Sequence, residues 1–197
     1  TSMASPHVAG IVALMQSAAV AAVAAEQGAN GSLRPELVPY GEVPLAGTRL
    51  DRLRDLIADL KSTGFKGKIR VAMYSGEFCL TGNGFEGYSL AADDLPFKRC
   101  DVIGNPFDEG MNPSQRQSLA FANLLSSLRG PASDFVSVEI EHIGRKPAVS
   151  YPDSNQATLT AGEWNRIALL NNRVEFITEP SERVRGGHPQ GAEGRGG

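Results

Sequence analysis

Apolar residues change their spacing several times along this chain, and each change marks an element. Residues 8–25 are apolar almost throughout, from Val8-Ala9-Gly10-Ile11-Val12-Ala13-Leu14-Met15 through an Ala-rich stretch to Ala25. Ser5 can cap such a helix and Pro6 fits its first turn, so one long helix over 6–25 is expected. A helix apolar all round is either buried or a weak membrane span. About 20 residues at about 1.5 Å each would just cross a bilayer. Against a span, Gln16 and Ser17 interrupt the run, and neither an aromatic belt nor flanking positive charge is present. Gln27-Gly28-Ala29-Asn30-Gly31 then ends the helix and opens a linker over 28–37.

Beyond the linker the periods become shorter and more regular. Residues 37–45 read as an edge or entry strand broken by Pro39 and Pro44. Leu50, Leu53, Leu56, Ile57 and Leu60 recur at helical spacing, predicting an amphipathic helix over 49–62 stopped by Gly64 and Gly67. Ile69, Val71 and Met73 alternate in a strand over 68–74. Residues 75–112 show no period and are expected as a long irregular loop. Leu119, Phe121, Leu124, Leu125 and Leu128 predict a second helix over 114–128, and Val136, Val138 and Ile140 a strand over 135–142. After another loop, residues 164–170 lead to a final strand over 173–177. The fold class is therefore α+β: an N-terminal segment over 1–27 formed by the long apolar helix, then a β-α-β-α-β-β unit over 38–178 with two helices on one face of a small mixed sheet. Residues 179–197 carry only Ala192 as an apolar side chain after Val184 and are expected to be a disordered tail.

Composition changes this picture little. The 197 residues are 41% hydrophobic and 21% charged, with a net charge of −3. Since no basic run exceeds two residues, nucleic-acid binding has no electrostatic footprint. The two cysteines, Cys79 and Cys100, flank part of the aperiodic stretch. In an oxidising compartment they form a natural disulfide closing that loop; in a reducing one they would be two thiols. Neither CxxC nor clustered Cys/His spacing is present, so no zinc site is expected. Asp93-Asp94 and Asp108-Glu109 read as loop carboxylates without enough convergent oxygens for a metal, and no phosphate-cradling glycine motif implies a cofactor. Trp164 and Phe176 read as core, His142 as a solvated or core histidine, and Arg166 and Arg173 as members of a polar network near the last strand.

Two segments carry more specific chemistry. Thr1-Ser2-Met3-Ala4-Ser5-Pro6-His7-Val8-Ala9-Gly10 resembles the nucleophile segment of subtilisin-like serine proteases, the likeness running over residues 1–16. The resemblance implies that Ser2 is the nucleophile, placed at the N-terminus of a buried helix whose amides favour the developing oxyanion. It implies that His7 is a structural helix residue. The triad Asp and His, which such a serine requires, would lie before Thr1. Endopeptidase activity on a polypeptide substrate is thus implied only together with those residues, not for this chain alone.

The second segment is the αβ unit. The helix over 50–60 with its following strand, Ser114-Gln115-Arg116-Gln117-Ser118-Leu119-Ala120, and above all Asn171-Asn172-Arg173-Val174-Glu175-Phe176 resemble the OmpA-like family of peptidoglycan-associating domains. That family holds the carboxylate and amine of diaminopimelate with an Asp after the second strand and an Arg on the following helix. Arg116 stands at the Arg position. Gly76 stands where the Asp would be, with Glu77 beside it as the substitute acid. The two resemblances together imply part of a bacterial cell-envelope or secreted protein: a wall-binding module, with peptidoglycan as partner, preceded by a protease nucleophile segment and located in the periplasm, envelope or outside the cell. One alternative is a protease fragment whose αβ appendage binds no ligand. The other is a membrane-anchored OmpA-like protein.

Overall fold

The computed structural model describes residues 33–112, 115–129 and 136–181. The N-terminal helix expected over 6–25, Ser2 and the tail from residue 182 lie outside the described residues. In the described residues the elements run β1 (Glu36–Leu37), α1 (Gly47–Ser62), β2 (Gly67–Tyr74), β3 (Phe78–Asn83), β4 (Gly87–Leu90), a short 3-10 turn (Phe97–Arg99), β5 (Val102–Gly104), α2 (Pro106–Glu109), α3 (Leu119–Ser127), β6 (Val136–Gly144), α4 (Ala161–Asn171) and β7 (Arg173–Pro180). The α+β class is as the periodicity predicts. None of these helices is long and apolar enough to cross a membrane.

The main sheet has the order β1-β7-β2-β6. The central strand β2 pairs parallel with β6 and antiparallel with β7, which in turn pairs antiparallel with β1. A parallel pair needs a long crossover, and here the crossover carries β3–β5, α2 and α3. Ile69, Val71 and Met73 face α1 and α3, joined across the sheet by Val136, Val174 and Phe176 in one core with Leu50, Leu53, Ile57 and Phe121. Phe121 and Phe176 are fully buried, each contributing roughly 1.5–3 kcal/mol relative to exposure.

The opposite sheet face is polar because alternate residues of β2 point there. Lys68 pairs with Glu139 (2.8 Å) and Glu179 (3.3 Å), and Arg70 with Glu141 (2.7 Å) and Glu179 (2.9 Å). Hydrogen bonds from Arg70 and Lys68 hold the Glu179 carboxyl below its usual range. On the same face the Arg173 guanidinium lies 3.8 Å from the centre of the Tyr74 ring and bonds Glu175 (2.7 Å).

Four expectations are corrected. The stretch 75–112 is not an irregular loop but a second sheet, β4-β3-β5, with two short helical turns. Its strands are too short and its turns too frequent for a period to show. Cys79 and Cys100 form a disulfide across this lobe, with Cα atoms 5.4 Å apart. Residues 164–170 belong to a longer helix, α4, opened by a reciprocal capping box between Thr160 and Glu163. Finally, β7 extends to Pro180, and Ser181 N–H donates to the Lys66 carbonyl, so the sheet continues past residue 178. The expected strand over 37–45 is only Glu36–Leu37, with Leu33 N–H bonding the Phe176 carbonyl, so residues read as linker join the sheet.

Candidate ligand-binding cleft

The chain ends of β1, β2 and β6 meet a loop, residues 38–44, and between them lies a cavity of about 90 Å³. Each wall has a local cause. Pro39 and Pro44 prevent the loop from pairing as a strand. Arg49, buried on α1, clamps it from behind: its guanidinium donates to the carbonyls of Leu37 (3.4 Å), Val43 (3.1 Å) and Pro44 (2.9 Å) and to Glu42 (2.7 Å). Below, Asn172 ties three segments together. Its side chain accepts from Gly76 N–H (3.1 Å) and Asn105 (3.3 Å) and donates to the Val38 carbonyl. The neighbouring Asn171 accepts from the amides of Ala148 and Val149, both at 2.9 Å, and fixes the loop after β6. The Asn-Asn-Arg motif thus holds the sheet end together.

Charged groups converge on this cavity. Asn105 caps the short helix α2, accepting from Asp108 N–H, with Pro106 in the first turn. That turn presents Asp108, which receives a hydrogen bond from the Ser75 hydroxyl and an ion pair from Arg116 at 3.3 Å. Arg116 also donates from Nε to the Met111 carbonyl at 3.1 Å, and its Nη1 stands 3.5 Å from His142 Nδ1. A guanidinium can only donate, so the contact requires Nδ1 unprotonated. Consistently, partial burial and then the Arg116 charge lower the pKa of His142, opposed by Asp108. His142 sits at a bulge: Met73 pairs with His142 but Tyr74 with Gly144, whose φ of 75° suits glycine.

The sequence-predicted site residues part company here. Arg116 lines the cavity. Glu77 pairs instead with Arg145 (3.3 Å), which also binds Glu109. The acid beside Arg116 is Asp108, read from sequence as a loop carboxylate. Ser75, Asn105 and His142 complete the polar wall; Ser75 and Asn105 did not stand out in the sequence, and His142 was read there only as a solvated or core histidine. The one available signal was Asn105-Pro106-Phe107-Asp108, a cap followed by proline and an acid, which marks a helical turn. A Cβ on Gly76 would lie 2.1 Å from the Ala168 carbonyl oxygen, so an acid at this position would have to displace α4. Among the described residues, no three His, Cys, Asp or Glu side chains are grouped to hold a metal. Trp164 is a core residue, stacked on Tyr151 (4.5 Å) and near Phe97 (4.3 Å), with its indole N–H on the Glu77 carbonyl (2.7 Å).

Compared with protein-family models and with curated proteins, the sequence matches none significantly.

Proposed function

We propose that the αβ unit is a wall-binding module of the OmpA-like kind, taking a zwitterionic diamino acid of peptidoglycan in the Asp108–Arg116 cleft. One observation carries this reading: Asp108, 33 residues beyond Ser75, returns to the end of β2 and meets Arg116 at the mouth of a cavity. The resemblance calls for an acid at the end of the second strand and an arginine after it, and this pairing supplies both. A ligand carboxylate would exchange for Asp108 on the Arg116 fork, and a ligand ammonium would take Asp108. The cavity volume suits the amino-acid head of a ligand rather than a whole sugar. The Cys79–Cys100 disulfide supports an oxidising location, in the periplasm, envelope or outside the cell. Retention on purified peptidoglycan tests the reading. Wild-type chain is expected to be retained, and Arg116→Ala and Asp108→Asn to be released; equal retention of all three ends it.

The Thr1–Gly10 likeness supports a second, compatible reading, in which Ser2 is the nucleophile of a subtilisin-like protease completed by an Asp and a His elsewhere. The coding sequence before the Thr1 codon tests it. A glycine codon preceded by Asp and His segments is expected, and a start codon with no such segments refutes it.

A further inference from the structure

Phe85 is fully exposed to solvent, more so than any other large apolar side chain among the described residues. It stands at the tip of the β3–β4 hairpin, between Gly84 and Glu86. Asn83 holds that tip in one shape. Its side-chain oxygen accepts from the amides of Phe85 (2.9 Å) and Glu86 (3.0 Å), and its side-chain nitrogen donates to the Glu86 carboxylate (3.0 Å). Gly87, at a φ of 91°, completes the turn. The turn needs its Asn and its Gly but gains nothing from a ring at position 85. A rigid turn presents that ring to a partner with little ordering left to do.

The other end of the same hairpin borders a cleft of about 210 Å³. Its floor is apolar, built from Tyr40, Phe78, Leu90 and Leu169, and Leu90 is half-exposed there. An apolar cavity of about 150 Å³ is enough to hold a benzene ring, so a phenyl side chain fits. The charged residues of the cleft are Asp93 and Arg166. Gly162 N–H donates to the Asp93 carbonyl (3.1 Å) and seats that residue on α4. Arg166 follows one turn later, and its guanidinium has no ion-pair or hydrogen-bond partner among the described residues. An acid entering beside an apolar ring is therefore drawn to the Arg166 end and repelled from the other.

We infer that the two ends of this hairpin are the halves of one self-complementary interface between two copies of the chain. Each Phe85 ring enters the partner's cleft, and each Glu86 meets the partner's Arg166. Phe85 and Leu90 are five residues apart, at most about 17 Å along a strand, so a single two-fold axis satisfies both contacts at once. The charges favour a second copy over a lipid surface: Glu86 beside the ring and a net charge of −3 oppose an anionic bilayer but complement Arg166. Two aromatic rings of roughly 150–250 Å² each, with the clefts they fill, stay below the roughly 1,200 Å² of a standard interface. The dimer is therefore weak and forms at high local concentration. It does not depend on what fills the Asp108–Arg116 cleft.

Sedimentation equilibrium of the full chain, at concentrations up to about 1 mM, tests this. Wild type is expected to dimerise with a dissociation constant on the order of 100 μM. Phe85→Ser, at a position outside the core, is expected to weaken it at least tenfold, by about the loss of one central contact. Glu86→Arg and Arg166→Glu are each expected to weaken self-association. An equimolar mixture of these two variants is expected to recover it, because both exchanged contacts then pair opposite charges. A wild type that stays monomeric overturns the proposal. So does a dimer unchanged by Phe85→Ser, which places the interface elsewhere, or a mixture that associates no better than its components. Co-sedimentation with phosphatidylglycerol–phosphatidylcholine vesicles is the remaining arm. Wild type is expected to stay in the supernatant; retention that is lost in Phe85→Ser makes the ring a lipid anchor and overturns the proposal too.

Discussion

Gly76 lies so close to α4 that a Cβ at this position would stand 2.1 Å from the Ala168 carbonyl oxygen and 3.0 Å from Asn172 Cβ. Backbone, not a flexible side chain, is the obstacle. Any substitution must therefore push α4 away from the end of β2, and with it the Asn171–Asn172 pair. Gly76→Ala is expected to cost at least about 2 kcal/mol, lowering the unfolding midpoint by about 4–8 °C. Gly76→Asp, which would restore the residue expected from the resemblance, is expected to be worse, and not to improve ligand binding. Thermal unfolding followed by near-UV circular dichroism reads this out; an unchanged midpoint for Gly76→Ala would show that the helix gives way freely.

Asn172 is 6% exposed and serves Gly76, Asn105 and Val38 at once. Leucine has a similar volume but no polar atoms, so Asn172→Leu would leave a buried amide and a buried carbonyl without partners. Each orphan costs roughly 1–3 kcal/mol. A loss of about 3 kcal/mol is expected in urea titration, while Asn171→Leu, which releases the 148–149 amides nearer the surface, is expected to cost less. If both variants unfold at the wild-type urea concentration, the amides are ornaments of the loop rather than its anchor.

The disulfide closes a loop with a sequence separation of 21, which in the chain-entropy account corresponds to about 3 kcal/mol. It fastens the small sheet to the Trp164 cluster, not to the main core. Removing it with Cys79→Ala and Cys100→Ala together is expected to loosen β3–β5 and the Asp93 segment while β2, β6 and β7 keep their protection. Amide hydrogen exchange by segment distinguishes this from a global loss. Uniform acceleration in all strands would mean that the inserted lobe and the main sheet unfold as one unit.

How much of this was legible beforehand depends on what kind of order each part has. The helix over 49–62 and the strand over 68–74 bury one face against a single core, so their apolar residues recur at a period that reading alone detects. The lobe between β2 and α2 buries its residues against α4 and each other in pieces of three to six residues. In such pieces Gly82 and Gly87 at positive φ and the disulfide decide the path, and no period survives. The site shows the same division. Arg116 was legible because a local motif carries it. Asp108 was not, because only the folding back of the whole insertion brings it to Ser75. Glu77 was the nearest acid in sequence, but Arg145 and the α4 packing turn that segment elsewhere.

The contact between Arg116 and His142 makes the cleft sensitive to pH in a defined direction. Burial is the largest cause of the lowered His142 pKa, the Arg116 charge the second, and Asp108 opposes both with a smaller effect. Removing Arg116 therefore leaves burial against Asp108 alone, and burial still prevails. In Arg116→Gln, His142 is expected to titrate higher than in wild type yet below its ordinary 6.5. The linked effect on stability follows from which state binds the proton first. Well above 6.5 the imidazole is neutral folded and unfolded, and pH has no leverage through it. As pH falls through 6.5 the unfolded chain is protonated before the folded one, so wild type loses stability down to the folded pKa and the loss then levels off. The window should be narrower in Arg116→Gln and absent in His142→Gln. Imidazole proton shifts, assigned with His142→Gln, give the titration, and urea midpoints taken across the same pH range give the stability. A His142 that titrates above 6.5 in wild type would mean that the Asp108 carboxylate, not the guanidinium and burial, governs the mouth of the cleft.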